Sequence, residues 1–472
     1  MTSLALVNTN RVRPPIAPLG IEYLAEYLSA AGYEPDLLDL CWEEDWREAM
    51  RRFFSKREYR VVGFSLRNTD DCAFTTKHSF MPEFIDMTGY ARELSDALFV
   101  IGGVGFSTMP EPVLDACGAD AGVAAGGERP MLRLLQCLEE GGSWHRVPGL
   151  IHPVGDQWER NALSSAGALD LPPMKRRRLD NPRYFREGGQ AGFETKRGCP
   201  WRCVYCCEPL AKGNSVQARS PREVGEELTA LIDQGIDHVH TCDSEFNLPP
   251  EHATAVCEEI IRRGIGDRLS WYAYCTPAPF PEELAGLMAR SGCVGINFGM
   301  DSGDACMLRR LGRPYGPEDL LETVRLCQRQ GIVIMLDLLL GSPGESLESV
   351  NRTIDLARES GAECIGVSTG VRVWAGTPLA AETGQVPLSH GLIGGQGVFD
   401  PLFFIEPSLG DDIFGLIDRR IGGDERFFFF NPAETSKNYN YNGNEVLVDA
   451  IKRGYRGAYW DILRRLSNRT VP

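Results

Sequence analysis

The chain has 472 residues, 43% hydrophobic and 24% charged, with a formal net charge of -16. A single core stops growing at about 250–300 residues, so two or three soluble domains are expected. The acidic balance argues against a nucleic-acid partner. No window of about 20 apolar residues spans a bilayer, and the opening residues lack the layout of a signal peptide. A cytoplasmic protein with neither a nucleic acid nor a membrane as partner is expected.

In chain order, the first block (residues 1–155) alternates strands with amphipathic helices. Candidate strands are Leu4–Val7, Pro35–Leu40, Val61–Leu66, Leu98–Ile101 and Ala121–Ala124, with helices such as Ile21–Ala31 and Pro130–Leu138 between them. That alternation predicts a doubly wound, Rossmann-like parallel sheet with ligands at the carboxyl ends of its strands. Residues 156–190, with Pro172-Pro173 and the run Lys175-Arg176-Arg177-Arg178, read as a solvated connector.

From residue 191 to 384 the pattern repeats. Candidate strands are Gly192–Thr195, His238–Cys242, Ser270–Tyr274, Val294–Phe298, Ile332–Leu340 and Cys364–Ser368. Helices Pro221–Gln234, which Ser220 is placed to cap, and Ser346–Ser360 lie between them. Six such units predict a partial (β/α)6 barrel with its chemistry at the carboxyl ends of the strands. The tail (385–472) reads as a small α+β cap over the barrel mouth, ending in a helical stretch Val446–Leu466; its Phe427–Phe430 run is too short to cross a membrane.

Directly after the first barrel strand lies Cys199-Pro200-Trp201-Arg202-Cys203-Val204-Tyr205-Cys206, a C-x3-C-x2-C spacing. Electron-transfer [4Fe–4S] clusters use four cysteines. Three thiolates at Cys199, Cys203 and Cys206 leave one iron open for another ligand. Zinc sites favour paired C-x2-C units, and no second pair occurs. Cys207, next to the third ligand, reads as structural.

On these residues the segment 191–380 resembles the radical S-adenosylmethionine (SAM) superfamily. The resemblance implies that the open iron takes the amino and carboxylate groups of SAM and that an electron from the cluster cleaves the sulfonium. It places Tyr205 by the adenine. Asp243-Ser244-Glu245 stands where the family contacts the SAM amino group, although the usual sequence there is glycine-rich. Asp243 and Glu245 are the candidate catalytic residues. Gly299, Asp301 and Ser302 are implied at the ribose and carboxylate, and Gly341 and Glu345 at the glycine-rich turn near adenine. An electron donor such as flavodoxin or ferredoxin follows from the same resemblance.

The first block resembles the cobalamin-binding domain of one large radical SAM subfamily. Gly102, Gly103 and Ser107 sit in the loop implied along the nucleotide tail, where paired glycines admit a flat ligand. The cobalt-ligating Asp-x-His-x-x-Gly motif is absent; Arg67-Asn68-Thr69-Asp70 stands in that region. Two readings stay open: Arg67 beneath the corrin with Asp70 nearby, or Arg67 and Asp70 as a loop ion pair. Two functions stay open with them. One is cobalamin-dependent C-methylation of a small polar secondary metabolite, as in antibiotic biosynthesis. The other is a cobalamin-independent dehydratase of an aminoglycoside-type sugar diol, with Glu245 or an acidic residue of the tail as acid. His78, His238 and His240 are candidates to titrate near neutral pH or are packed or surface histidines; Arg372 and Trp374 follow the sixth strand as candidates to line the substrate cavity; and Asn438–Asn442 reads as hydrogen-bonding and stacking groups for a polar substrate or as a solvated loop.

Overall fold

The computed structural model describes residues 2–162, 169–385, 388–429 and 442–467. The first sheet holds β1 (Leu4–Asn8), β2 (Asp36–Asp39), β3 (Val61–Ser65), β4 (Leu98–Gly102), β5 (Ala121–Val123), β6 (Leu150–Val154) and β7 (Gln157–Arg160), in the order β2-β1-β3-β4-β5-β6-β7. Strands β1 to β5 are parallel, as expected of a doubly wound domain; β6 and β7 extend the edge as an antiparallel hairpin. Alternate residues of each strand feed two cores. Leu4, Leu6 and Val61 pack against helices Leu19–Ala30 and Glu128–Glu139, whereas Ala5, Val7 and Val62 pack against Trp46–Phe54, Met81–Leu94 and Pro110–Cys117.

The second sheet begins with β8 (Ala191–Phe193). A short antiparallel ladder of β9 (Lys196–Arg197) and β10 (Gln217–Ala218) stands beside it. Then come β11 (His238–Thr241), β12 (Ser270–Cys275), β13 (Cys293–Asp301), β14 (Val333–Leu340) and β15 (Cys364–Thr369). A three-stranded flap of β16 (Val371–Arg372), β17 (Leu392–Gly394) and β18 (Leu402–Phe404) follows, and β19 (Phe427–Phe429) closes the series. The large sheet is parallel throughout, in the order β19-β15-β14-β13-β12-β11-β8. The partial barrel is therefore as expected, with one strand more than the six anticipated. Its alternation is strict: Ile296, Phe298, Leu336 and Leu338 face the outer helices, leaving Gly295, Asn297, Met335 and Asp337 to the lumen. Ser220 does stand at the N-cap of helix Pro221–Ile232, but its hydroxyl makes no capping bond; Ser346 caps the next-to-last barrel helix through Ser349.

Two expectations are refined here. The tail divides: β17, β18 and the residues after them lie at the carboxyl end of the barrel, where the Glu406 N–H donates to the Gly341 carbonyl at 2.9 Å and Glu406 accepts from the Gly344 N–H at 2.6 Å. Its end forms two helices, Glu445–Lys452 and Tyr459–Ser467, separated at Gly454 and Gly457, both at positive φ. A Cβ on Gly457 would lie 2.4 Å from the Tyr272 hydroxyl, so the chain turns against the base of β12. Trp460, Ile462 and Leu463 then join Tyr272, Met335, Cys364 and Phe428, which plugs the amino-terminal end of the barrel.

The basic run is not a solvated linker throughout, since Lys175 and Arg177 are exposed but Arg176 between them is buried. Arg176 is 0% exposed and adopts positive φ. Its Nε donates to Glu22 at 2.7 Å and its Nη1 donates to Glu227 at 2.7 Å. Glu26 accepts the backbone N–H groups of Lys175 and Arg176. Glu227 also accepts from the Tyr23 hydroxyl at 2.8 Å and from Arg219 Nη1 at 2.6 Å. The connector, a helix of the first domain and the first barrel helix are thus joined by one buried ionic knot.

Candidate active site at the seam of the two domains

Gly198 admits the cysteine loop. Its φ is +89°, and a Cβ there would meet the Ser215 carbonyl at 2.1 Å. The loop is strapped by backbone bonds: Cys199 N–H to Gly213 at 3.1 Å, Val204 N–H to Leu311 at 3.0 Å, and Leu379 N–H to the Val204 carbonyl at 3.0 Å. Cys199 and Cys203 are buried, Cys206 is half-buried, and all three are free thiols. Burial pushes Cys203 up to about 11 and raises Cys199 and Cys206. Among the described residues no three His, Cys, Asp or Glu side chains converge on one point as a single metal ion requires. A cube needs no such convergence, because each thiolate holds its own iron. The donor set therefore fits a cluster. Cys207 is half-buried, and burial pushes it up to about 12.

Beside the loop, Tyr205 donates to Asp301 Oδ2 at 2.7 Å and accepts from Arg313 Nη2 at 2.6 Å. Arg313 Nε also donates to Asp301, and Arg313 Nη1 lies 3.7 Å from Glu245 Oε1. Asp301 sits at φ +55° where the register of β13 shifts, which turns it out of the strand and toward Tyr205. Tyr315 donates to the Gly299 carbonyl. Burial pushes Glu245 up to about 7 against the opposing pull of Arg313. Arg313 is a site residue that no motif marks. The only hint is a basic residue a few positions beyond Gly299–Gly303.

The three residues after β11 separate. Asp243 turns down: its Oδ1 accepts the N–H groups of Thr195 at 2.8 Å and Lys196 at 3.2 Å, and its Oδ2 accepts Lys196 Nζ at 3.1 Å. Burial would raise its pKa, but Lys196 and the Thr195 bonds hold it below the usual carboxylate range. Asp243 anchors the entry to the cysteine loop, and the catalytic role expected for it does not fit a carboxylate so fully engaged. Ser244 donates to Glu208 at 2.5 Å. Glu245 alone faces Arg313. Two expected SAM contacts are likewise turn-builders. Ser302 Oγ lies 3.1 Å from Thr353 Oγ1, and Glu345 Oε2 folds back on the N–H groups of Gly341 at 2.5 Å and Ser342 at 3.1 Å. Gly341 itself, at φ +97°, packs close to the Gly370 backbone.

Between the two domains lies a cavity of about 320 Å³ along the carboxyl edge of the first sheet. Gly63, Gly102, Gly103 and Arg67 line one side; Arg197 and Lys212 of the barrel line the other. A Cβ on Gly103 would strike the Leu66 carbonyl at 2.4 Å. Ser107 donates to the Gly103 carbonyl and accepts the Ala125 N–H, both at 2.9 Å, which ties the two glycine loops together. The glycine-lined cradle lets a large flat ligand such as cobalamin approach the backbone closely. Arg197 crosses the seam to a bidentate pair with Glu128 at 2.8 Å. Asp70 does not pair with Arg67. It is buried and accepts from Arg372 Nη2 at 2.8 Å, and Arg372 stacks over Trp374 at 4.1 Å. Asp70 is thus a latch between the domains rather than a cofactor contact.

Above the Trp460 plug the lumen opens into a cavity of about 290 Å³, walled by His240, Tyr274, Asn297, Asp337 and Thr369 and roofed by residues 71–75 of the first domain. Burial brings His240 down to about 4, so it is neutral, and it shares a 2.7 Å hydrogen bond with the Thr241 carbonyl. His238 faces outward against Asp237 at 2.7 Å. His78 and Asn442 border a smaller cavity of about 190 Å³ with Arg67 and Asn68. Residues 438–441 lie outside the described residues.

Residues 193–357 match the Radical SAM superfamily, and residues 5–135 match the B12 binding domain. A relative, tryptophan 2-C-methyltransferase of Streptomyces laurentii, is 34% identical over 434 residues, covering 79% of this chain and 72% of its own. The chain belongs to the B12-binding branch of the radical SAM superfamily. A solved radical SAM methyltransferase, TsrM from Kitasatospora setae with tryptophan substrate and a SAM analog bound, superposes with a TM-score of 0.92 at 30% identity over 99% of both chains. The same protein with cobalamin and [4Fe-4S] cluster bound gives a TM-score of 0.90 at 29% identity, over 99% of this chain and 98% of that one. This radical SAM enzyme is accordingly of the methyltransferase kind, its cofactors being the cluster, SAM and cobalamin, and its substrate a small molecule. None of its described helices is long and apolar enough to cross a membrane.

Proposed function

We propose that the chain is a cobalamin-dependent C-methyltransferase acting on tryptophan or a related indole. One observation carries this reading: the glycine-lined cavity is bounded by both domains, with Gly102, Gly103 and Arg67 on one wall and Arg197 and Lys212 on the other. A first domain that had lost its ligand had no reason to keep such a cradle open.

Cys199, Cys203 and Cys206 would hold the cluster. Tyr205, Gly299, Asp301 and Gly341 would border SAM, Ser244 supporting them through Glu208. Arg67 would lie under the corrin. Bound together, these groups supply an electron, a methyl donor and a methyl carrier. The chain's own residues do the rest. Asp243 and Lys196 fix the entry to the cysteine loop, and the Asp70–Arg372 latch sets the roof over the lumen. The lumen offers the substrate aromatic walls at Phe74, Tyr274 and Trp460. A flavodoxin or ferredoxin would deliver the electron.

The test is anaerobic purification with hydroxocobalamin, followed by gel filtration and a visible spectrum, then turnover with tryptophan. Corrin bands that travel with the protein, together with S-adenosylhomocysteine and a methylated indole, are the expected result. A cluster spectrum without corrin, tryptophan left unmethylated, and 5′-deoxyadenosine with a dehydrated product in a parallel incubation with an aminoglycoside-type diol would overturn it in favour of the dehydratase.

A further inference from the structure

The lumen carries a polar pair that lies outside the glycine-lined cradle. Asn297 on β13 and Asp337 on β14 point inward because their neighbours Ile296, Phe298, Leu336 and Leu338 face the outer helices. Asn297 Nδ2 donates to Asp337 Oδ2 at 2.8 Å, which fixes the orientation of the amide. That bond does not use Asn297 Oδ1 or Asp337 Oδ1, and neither accepts a hydrogen bond from a described residue. Asn297 is only 4% exposed. Buried acceptors left empty are costly and rare in folded proteins, so a pair of them on a cavity wall calls for a donor.

Other groups on this wall point the same way. Gln190 Oε1 is a third acceptor without a partner, against a single unmatched donor, Trp460 Nε1, and the ambivalent Thr369 hydroxyl. The charged and titratable groups facing the cavity are Asp337, Asp71, Tyr274, Tyr459, Cys72 and the neutral His240; among the described lining residues there is no lysine or arginine. Asp71 is already held by the N–H groups of Ala73 and His78, both at 3.2 Å. A carboxylate ligand would meet no positive charge here, whereas an ammonium would neutralise Asp337.

We propose that Asn297 and Asp337 form a paired-acceptor subsite that receives the ammonium group of the substrate, so that the enzyme selects cationic amines over acids of the same shape. This deepens the proposed function and rests on its reading of the lumen as the substrate cavity. A primary ammonium has three donors, enough to satisfy both free oxygens and one more acceptor. No bond is made or broken; the pair positions and selects.

The experiment is anaerobic titration calorimetry of the full-length protein, reconstituted with cluster and hydroxocobalamin, against three ligands sharing one ring: tryptamine, tryptophan and indole-3-propionate. Tryptamine should bind about ten- to a hundred-fold more tightly than indole-3-propionate, the range of a charge-assisted hydrogen bond, with tryptophan between them. Asp337→Asn should erase most of that ratio while leaving the corrin and cluster spectra unchanged. Equal binding of the amine and the acid to the wild-type protein would overturn the proposal, and so would an Asp337→Asn variant that keeps the ratio. Failure of all three to bind overturns it too. The methyl-transfer reading is judged separately by corrin retention and product identity, so the two can fail independently.

Discussion

Replacing Arg176 by methionine should destabilise the protein by about 3–5 kcal/mol, the cost of removing one partner from a buried ion pair. Methionine nearly matches the length of the aliphatic stem and keeps the space filled, so the loss is electrostatic. The guanidinium now serves Glu22 at 2.7 Å, Glu227 at 2.7 Å and the Gly192 carbonyl at 2.9 Å, with both carboxylates 0% exposed. After the change Glu227 keeps Arg219 at 2.6 Å and the Tyr23 hydroxyl at 2.8 Å. Among the described residues Glu22 keeps only the Asn181 amide at 2.7 Å. The uncompensated charge therefore falls on Glu22. Adding Glu22→Gln should recover more than about 1 kcal/mol, because neighbours in one network couple by about 0.5–3 kcal/mol. Urea unfolding of the wild type, both single variants and the double variant, followed by tryptophan fluorescence, gives the full cycle. Trypsin should cut the connector (156–190) faster in the single variant. A single variant within about 0.5 kcal/mol of wild type, the range of an ordinary surface change, would refute the reading of Arg176 as the centre of the seam.

Two further predictions follow from buried groups elsewhere. Burial lifts Glu345 from its ordinary 4.5 to about 7; the folded state therefore holds that proton across this window while the unfolded state releases it, and stability falls as pH rises through it. Glu345→Gln keeps an acceptor for the Gly341 and Ser342 N–H groups, so its stability minus that of wild type should grow from near zero at pH 4.5 to about 3 kcal/mol above pH 7; a difference that stays flat in urea unfolding across that range would contradict this. Trp460→Ala removes a side chain only 6% exposed that packs on Tyr272 at a centroid distance of 5.8 Å. It should cost about 3–5 kcal/mol, and a loss under about 1 kcal/mol would mean that the tail does not plug the barrel.

What the sequence made legible was covalent or local. Three cysteines within eight residues keep their spacing whatever the fold around them, and apolar runs such as Val61–Ser65 and Val333–Leu340 can be buried only as central strands. What it hid depended on partners far along the chain. Arg176 finds Glu22 at a separation of 154 residues, and Arg372 finds Asp70 at 302, so the first looked like a solvated run and the second pair like two unrelated loops. Asp243 and Glu245, two residues apart, looked like one acidic feature, yet their side chains part because Lys196 captures the first and Arg313 the second. Phe427–Phe429 gave no alternation to mark it as a strand, and it is buried because β15 offers it an open edge. The helical stretch Val446–Leu466 concealed its break, since Gly454 and Gly457 are tolerated within a helical pattern and only the Tyr272 hydroxyl beneath them forces the turn.

Apolar contacts cross the seam where Phe74 meets Phe403 and Phe414, but charge pairs fix its orientation. Three of its contacts flank the cofactor side: Arg197 with Glu128, Arg372 with Asp70, and Arg176 with Glu22 and Glu227. Each is directional, since a guanidinium satisfies a carboxylate in few orientations. An apolar interface tolerates small slips at little cost; a bidentate pair such as Arg197–Glu128 loses a hydrogen bond as soon as the domains rotate. The cavity between Gly103 and Lys212 has one wall on each domain, so its width depends on that rotation. Loosening that pair without removing its charge should therefore disturb the cavity more than the folding of either domain. Arg197→Lys keeps a cation beside the buried carboxylates of Glu128 and Glu194 but loses the bidentate geometry; it should unfold close to wild type yet lose hydroxocobalamin on gel filtration, whereas full corrin retention would show that the pair has no part in setting the gap.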